Sequence, residues 1–390
     1  MHNTMNTSKK SNVLAPIAAF FGFFIMGFVD IVGIATNYVK NDFNLSSGIA
    51  GTLPMMVFLW FAIFSIPTGI LMGKAGRKKT VLLALATTCV AMIIPFLFYT
   101  FYTVLIAFIL LGISNTILQV SLNPLVAAMF NKEKTASILT LGQFIKSVCS
   151  FFGPIVAGFT ASRFGDWKLT FAVFAAISVI SVFLLAFSKV EELGFKSTPA
   201  TFSGALGLLK DKFIFFCFLS IFLIVGFDVG LNVSIPELLM RHAGLTLENA
   251  GYGNSVYFAA KTTGAFLGTF LLLKIKPMKY LLVSLFVALL SYLALMLIHE
   301  VWSLRVLIFM LGFAGANVFS IIFSFALQRF PSRSNEISAL MIMGVVGGAV
   351  IPFVQGLIND SISFTAALSV IFASLLLILI FTFNLKKNVQ

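Results

Sequence analysis

Long apolar runs separated by short polar punctuation set the pattern of this chain, and each run has the length of a helix. The runs predict helices 1 to 6 at about 13–39, 47–72, 80–98, 103–130, 135–162 and 169–188. A polar stretch follows at 189–212, and helices 7 to 12 are predicted at about 213–240, 249–273, 280–299, 304–329, 336–358 and 364–384. A helix needs about 20 residues to cross a bilayer, whereas barrel strands would show alternating segments of about ten. The expected fold is an all-α membrane protein with twelve transmembrane helices.

The informative positions are the polar ones inside these runs. Residues 20–38, FFGFFIMGFVDIVGIATNY, hold one carboxylate, Asp30, near their middle. An Asp at mid-depth costs about 2.5–3.5 kcal/mol on insertion scales, so it belongs against a polar cavity or a partner. Helix 4 carries Asn115, Gln119 and Asn123 at four-residue spacing, which puts them on one face. Helix 5 does the same with Gln143, Lys146, Ser147 and Ser150. Asn37 joins from helix 1, Asp228 and Asn232 from helix 7, and Asn254, Tyr257 and Lys261 from helix 8. Helix 10 offers Asn317, Ser320, Ser324 and Gln328. Such stripes are expected to face one another across water and to bind a small molecule. The other reading is structural: amides and hydroxyls also serve as glue between helices, and Asp30, Lys146 and Lys261 could sit in fixed ion pairs, with Asp228 bound to Lys261.

Composition agrees with the pattern: 59% of residues are hydrophobic, only 10% are charged, and the mean hydropathy is +1.06. The net charge of +13 is a matter of topology, because nineteen Lys and Arg fall in alternate loops on one side. The other side receives only Lys40, Arg163, Lys168, Arg241 and Arg305. The positive-inside rule then puts both termini in the cytoplasm, with the chain in the inner membrane and no nucleic-acid partner. Cys89, Cys149 and Cys217 lie in apolar spans without metal-ligand spacing and read as small buried hydrophobes. His2, His242 and His299 fall at a terminus or at span ends, so no proton relay is built from them. No nucleophile with a base, no metal cluster and no phosphate-cradling loop appears, so neither an enzyme nor a cofactor is expected.

Laid over itself at a shift of about 200 residues, the chain repeats. LSSGIAG at 45–51 faces LTLENAG at 245–251, and the LG at Leu111 and Gly112 faces the LG at Leu311 and Gly312. GPIVAG at 153–158 faces IPFVQG at 351–356, and GFVD at 27–30 lies almost opposite GFDV at 226–229. The organisation expected is a six-helix bundle over 1–188, a cytoplasmic linker over 189–212 and a related six-helix bundle over 213–390.

After helix 2 the chain reads GILMGKAGRKK, in which Gly69, Lys74, Gly76, Arg77 and Lys78 match a loop motif of the major facilitator superfamily. Gly73 stands where that motif has Asp. Within that superfamily the chain resembles the fucose permease branch of proton-linked sugar symporters. The resemblance rests on Asp30, on SIPTGILMGKAGRKK, on LQVSLNP ending at Pro124, and on AKTTGAFLG in helix 8. It implies that Asp30 takes part in sugar binding and proton coupling. The branch's second acid, on helix 4, corresponds to Gln119; its polar position on helix 5 corresponds to Lys146 and its basic position on helix 8 to Lys261. The function expected is import of a sugar or related polyol by alternating access in a monomer. Asp30, with Asp228 as the other candidate, would couple it to a proton, and sodium is the alternative ion. An anionic sugar acid or exported drugs are the alternative cargo.

Overall fold

The computed structural model describes residues 14–45, 49, 52–130, 132–189, 201–245 and 247–389. Among them there is no strand, and twelve helical spans are long and apolar enough to cross a membrane. Spans 1 to 6 are Leu14–Ile31, Met55–Ala75, Arg77–Leu97, Phe101–Met129, Thr135–Ala161 and Leu169–Phe187. Spans 7 to 12 are Lys212–Ala243, Gly253–Lys274, Pro277–Leu297, Val301–Arg329, Pro331–Asn359 and Phe364–Lys386. Exposed Phe, Leu and Ile side chains such as Phe183, Phe270 and Leu290 cover the outside of the bundle, as lipid contact requires.

Three breaks in the spans were invisible to a reading by apolar length. The first helix stops at Met26, continues as a 3-10 turn over Gly27–Ile31 and resumes as the helix Val32–Asp42. Span 10 is two helices, Val301–Gly315 and Val318–Arg329. Span 11 tightens into a 3-10 turn at Gly344–Val346. Each break lies within a run whose mean hydropathy stays high, so hydropathy does not register it. Each also sits where helices press together, and the polar stretch read as linker contains a short helix, Phe202–Gly207.

The repeat seen in sequence is a repeat of close approaches. A Cβ on Gly112 would stand 2.6 Å from the Val57 carbonyl oxygen, and one on Gly312 would stand 2.6 Å from that of Tyr257. Span 4 therefore packs on span 2 as span 10 packs on span 8, through positions 200 residues apart. Likewise a Cβ on Gly27 would meet the Lys146 backbone of span 5, and one on Gly226 would meet Ile351 and the Gly347 backbone of span 11.

The first six spans are fastened to the last six on the side of the basic loops. Gly76, at φ 85°, turns the chain from span 2 into span 3 in a conformation that favours glycine. The buried Arg77 that follows donates to Asn335 Oδ1 at 2.9 Å and to Ser334 Oγ at 2.5 Å, at the start of span 11. A Cβ on Gly69 would lie 2.7 Å from that of Ala339. Ser338 donates to the Val120 carbonyl and Ser137 to the Thr269 carbonyl, each at 2.6 Å. The ring centroids of Phe144 and Phe266 are 5.1 Å apart. The motif thus reaches the neighbouring span through Arg77 and neutral partners. Lys78 instead donates to the Ala186 and Ser188 carbonyls, which end span 6, while Lys74 is exposed.

Candidate functional site

The 3-10 turn of span 1 is what presents Asp30. At the start of the turn the Met26 carbonyl accepts a hydrogen bond from Asn115 Nδ2 at 2.8 Å. Asn115 Oδ1 in turn accepts from Gln119 Nε2 at 2.7 Å, and the Gln119 carbonyl accepts from Asn123 Nδ2 at 2.8 Å. The three amides of span 4 are buried and form a ladder behind the turn. In front of it Asp30 is exposed and accepts a hydrogen bond from the Ser150 hydroxyl of span 5.

Lys146, one turn before Ser150, is half-buried, and among the described residues no carboxylate stands at ion-pair distance from it. Asp30 and Lys146 therefore belong to one face without being a salt bridge. Gln143 is half-buried on the same face, its carbonyl accepting from Ser147 Oγ at 2.9 Å. Asn37 lies in the helix Val32–Asp42 beyond the turn.

The second half arranges its charges the other way. Asp228 Oδ2 is 2.6 Å from Lys261 Nζ, and its Oδ1 accepts from the Tyr257 hydroxyl at 2.6 Å. Both charged side chains are about a quarter exposed, at 28% and 24%, while Tyr257 is buried. Lys261 also lies 5.8 Å from the centre of the Tyr257 ring. Asn232 makes only a long bond, 3.4 Å, from its amide to the Asp228 carbonyl. Among the described residues, the buried Oδ1 atoms of Asn232 and Asn254 have no hydrogen-bond partner. Buried carbonyl oxygens without donors are uncommon, and they are suited to hydroxyl donors from a ligand.

Asn317 also has a buried Oδ1 without a partner among the described residues, but its amide nitrogen is engaged elsewhere. It is fully buried at the break in span 10, where its amide donates to the Gly264 carbonyl and the Tyr280 hydroxyl, both at 2.8 Å. Its place is bracing spans 8, 9 and 10 against one another. The stripe on span 10 marked its polarity, and the structure turns its amide toward spans 8 and 9 at the break between Gly315 and Val318. Ser150 stood in the span 5 stripe, and its contact with Asp30 comes from tertiary packing. Among the described residues no three His, Cys, Asp or Glu side chains gather as a metal-holding group.

The comparisons with known proteins agree with this architecture. The family model described as Major Facilitator Superfamily matches residues 17–333 and again 214–388. A putative glucose/galactose transporter of Helicobacter pylori is 27% identical over 384 residues, covering 92% of each chain. An L-fucose-proton symporter of Haemophilus influenzae is 22% identical over 383 residues, covering 87% of each. Among solved structures, the transporter FucP in its outward conformation superposes with a TM-score of 0.84 at 17% identity, over 96% of this chain and 99% of that one. With the family model matched along nearly its whole length and the twelve-span fold in place, the chain belongs to the Major Facilitator Superfamily.

Proposed function

We propose that the protein carries a sugar or related polyol into the cell by alternating access, coupled to a proton on Asp30. One observation carries the coupling: Asp30 is exposed and held by a hydroxyl, whereas Asp228 is already matched by Lys261 and Tyr257. Shutting an unpaired carboxylate away from water is costly, so a carrier that closes over Asp30 gains by taking up a proton there. The amides of Gln143, Asn232 and Asn254 and the Ser150 hydroxyl supply donors and acceptors for sugar hydroxyls. The relatives named for glucose, galactose and fucose support the same substrate class.

The contacts that close the basic side supply the barrier that alternating access must open. Both termini are cytoplasmic in this reading, the membrane is the inner one, and the working unit is a monomer. The two bundles 1–188 and 213–390 move against each other, with 189–212 joining them. Cysteines introduced by Ser8→Cys and Ser197→Cys should label only from the cytoplasmic side; labelling of either from outside would refute the topology.

Uptake of labelled neutral and acidic sugars into proteoliposomes, with and without gradients of pH and sodium, tests the function. Accumulation of a neutral sugar driven by the pH gradient alone is the expected result. A second reading, a sugar acid, is favoured by Lys146, which has no carboxylate at ion-pair distance among the described residues. Uptake of acidic sugars in place of neutral ones would establish it. Accumulation that follows sodium and ignores pH would remove the proton.

A further inference from the structure

On the side away from the basic loops, each half ties its span ends together with a related contact. In the first half Asp42, which ends the helix Val32–Asp42, accepts from the Tyr99 hydroxyl at 2.6 Å and from the Trp167 indole at 2.8 Å. Two hundred residues further on stand His242, near the end of span 7, and His299, in the turn between spans 9 and 10. They occupy the positions of Asp42 and Tyr99, and their rings meet with centroids 4.8 Å apart and planes at 47°. The repeat kept the contact and replaced its chemistry with two imidazoles.

The His242 ring is already oriented. Its Nδ1 lies 3.3 Å from the Ile298 carbonyl oxygen, which can only accept, so in neutral imidazole the hydrogen sits on Nδ1 and Nε2 keeps its lone pair. Metal-bound histidines are commonly fixed this way, through a hydrogen bond from the second ring nitrogen to a carbonyl. With metal–nitrogen bonds of about 2.0–2.1 Å, two imidazoles on one ion hold their ring centres roughly 5 Å apart. The observed separation fits that requirement. His242 is half-buried and His299 exposed, which leaves the pair open to ions from water. Glu300 is not a third ligand, because its two oxygens accept from the Trp302 and Ser303 amides at 2.8 and 2.6 Å.

We propose that His242 and His299 form a two-histidine site for a divalent transition ion of the Ni2+, Cu2+ or Zn2+ type, with water completing the coordination. Imidazole selects these ions over Mg2+ and Ca2+, which prefer oxygen. The bound ion pins the end of span 7 to the turn between spans 9 and 10.

The test uses the purified full chain in detergent, free of any affinity tag, with thermal unfolding and calorimetric titration of Ni2+ or Zn2+ and Mg2+ as the control. Ni2+ and Zn2+ should raise the melting temperature at pH 7.5, and Mg2+ should not. Affinity should fall at least tenfold in both His242→Gln and His299→Gln, while the metal-free melting temperature stays near that of the parent. His2→Gln should bind as the parent does, which separates this site from the remaining histidine. An unchanged metal shift in either His242→Gln or His299→Gln would overturn the site, as would its absence in the parent. Should a glutamine variant not fold, His299→Asn read by the same titration decides.

Discussion

The two halves hold their membrane-depth carboxylates in opposite ways. In the first, Asp30 sits in a 3-10 turn, bonded to Ser150, with Lys146 on the same face but not at ion-pair distance. In the second, Asp228 sits in an unbroken helix with Lys261 at 2.6 Å and the Tyr257 hydroxyl at 2.6 Å. The sequence sets these acids almost opposite each other in the repeat, yet packing gives them different work. A matched pair resists change, because removing either charge strands the other. An unmatched carboxylate is the one whose charge a proton or a ligand can alter at little structural cost.

The largest effect should come from abolishing that difference. Asp30→Asn should keep exchange between loaded vesicles and lose uphill accumulation, falling from about tenfold per unit of pH gradient, at one proton per substrate, to none. Asp228→Asn should still accumulate substrate. If Asp228→Asn loses accumulation and Asp30→Asn keeps it, the coupling group lies in the second half and the comparison is inverted.

The ion pair itself gives the next effect. Lys261→Met leaves Asp228 with Tyr257 alone and should destabilise the protein by about 1–2 kcal/mol, below the cost at fully buried pairs because both groups are a quarter exposed. The double variant Lys261→Met with Asp228→Asn should recover part of the loss in a thermal melt. In the first half Lys146→Met should cost no comparable stability, and its effect should fall on substrate affinity instead. Equal destabilisation by Lys146→Met would mean that the lysine has a structural partner after all.

A smaller change is expected where the halves meet. Arg77→Ala removes the bonds to Ser334 and Asn335 and should favour opening on the basic side. A cysteine introduced by Val120→Cys in a cysteine-free background should then label several-fold faster from that side. Gly69→Val, which forces spans 2 and 11 apart at Ala339, should do the same. Unchanged labelling in both would show that the fastening lies elsewhere, with Ser137 and Thr269 as the next pair to break.

The smallest effect separates the ends of the halves by pH. Glu300 caps span 10, and the Ser303 and Trp302 amides hold its carboxyl below the ordinary value of 4.5. A depressed acid stabilises the fold above the unfolded-state value and loses that contribution as pH falls through the folded one. Glu300→Gln should therefore melt slightly below the parent at pH 7 and converge with it as pH falls through the depressed folded value. In the first half, burial and Asp42 push the Tyr99 phenol up from its ordinary value, so its hydroxyl stays a donor across the same range. Tyr99→Phe should accordingly lower the melting temperature by an amount that does not vary between pH 5 and pH 9.

The twelve spans were legible in the chain, because hydropathy over about 20 residues is a one-dimensional property. That Asp30, Asp228, Tyr257 and Lys261 would need polar neighbours was legible, since a polar group in an apolar helix needs one wherever it points. What it points at is a different matter. Asn115, Gln119 and Asn123 form a ladder behind the turn, Asn317 braces three spans, and Asp228 found Lys261 while Asp30 found Ser150. Asp30 and Asn317 lie at breaks in their helices, Gly27–Ile31 and residues 316–317, that apolar length does not register. The meeting of His242 with His299 depends on how three span ends converge. Residue type and spacing determine which groups must be satisfied; only the packing of helices, set by contacts hundreds of residues apart, decides which partner satisfies each.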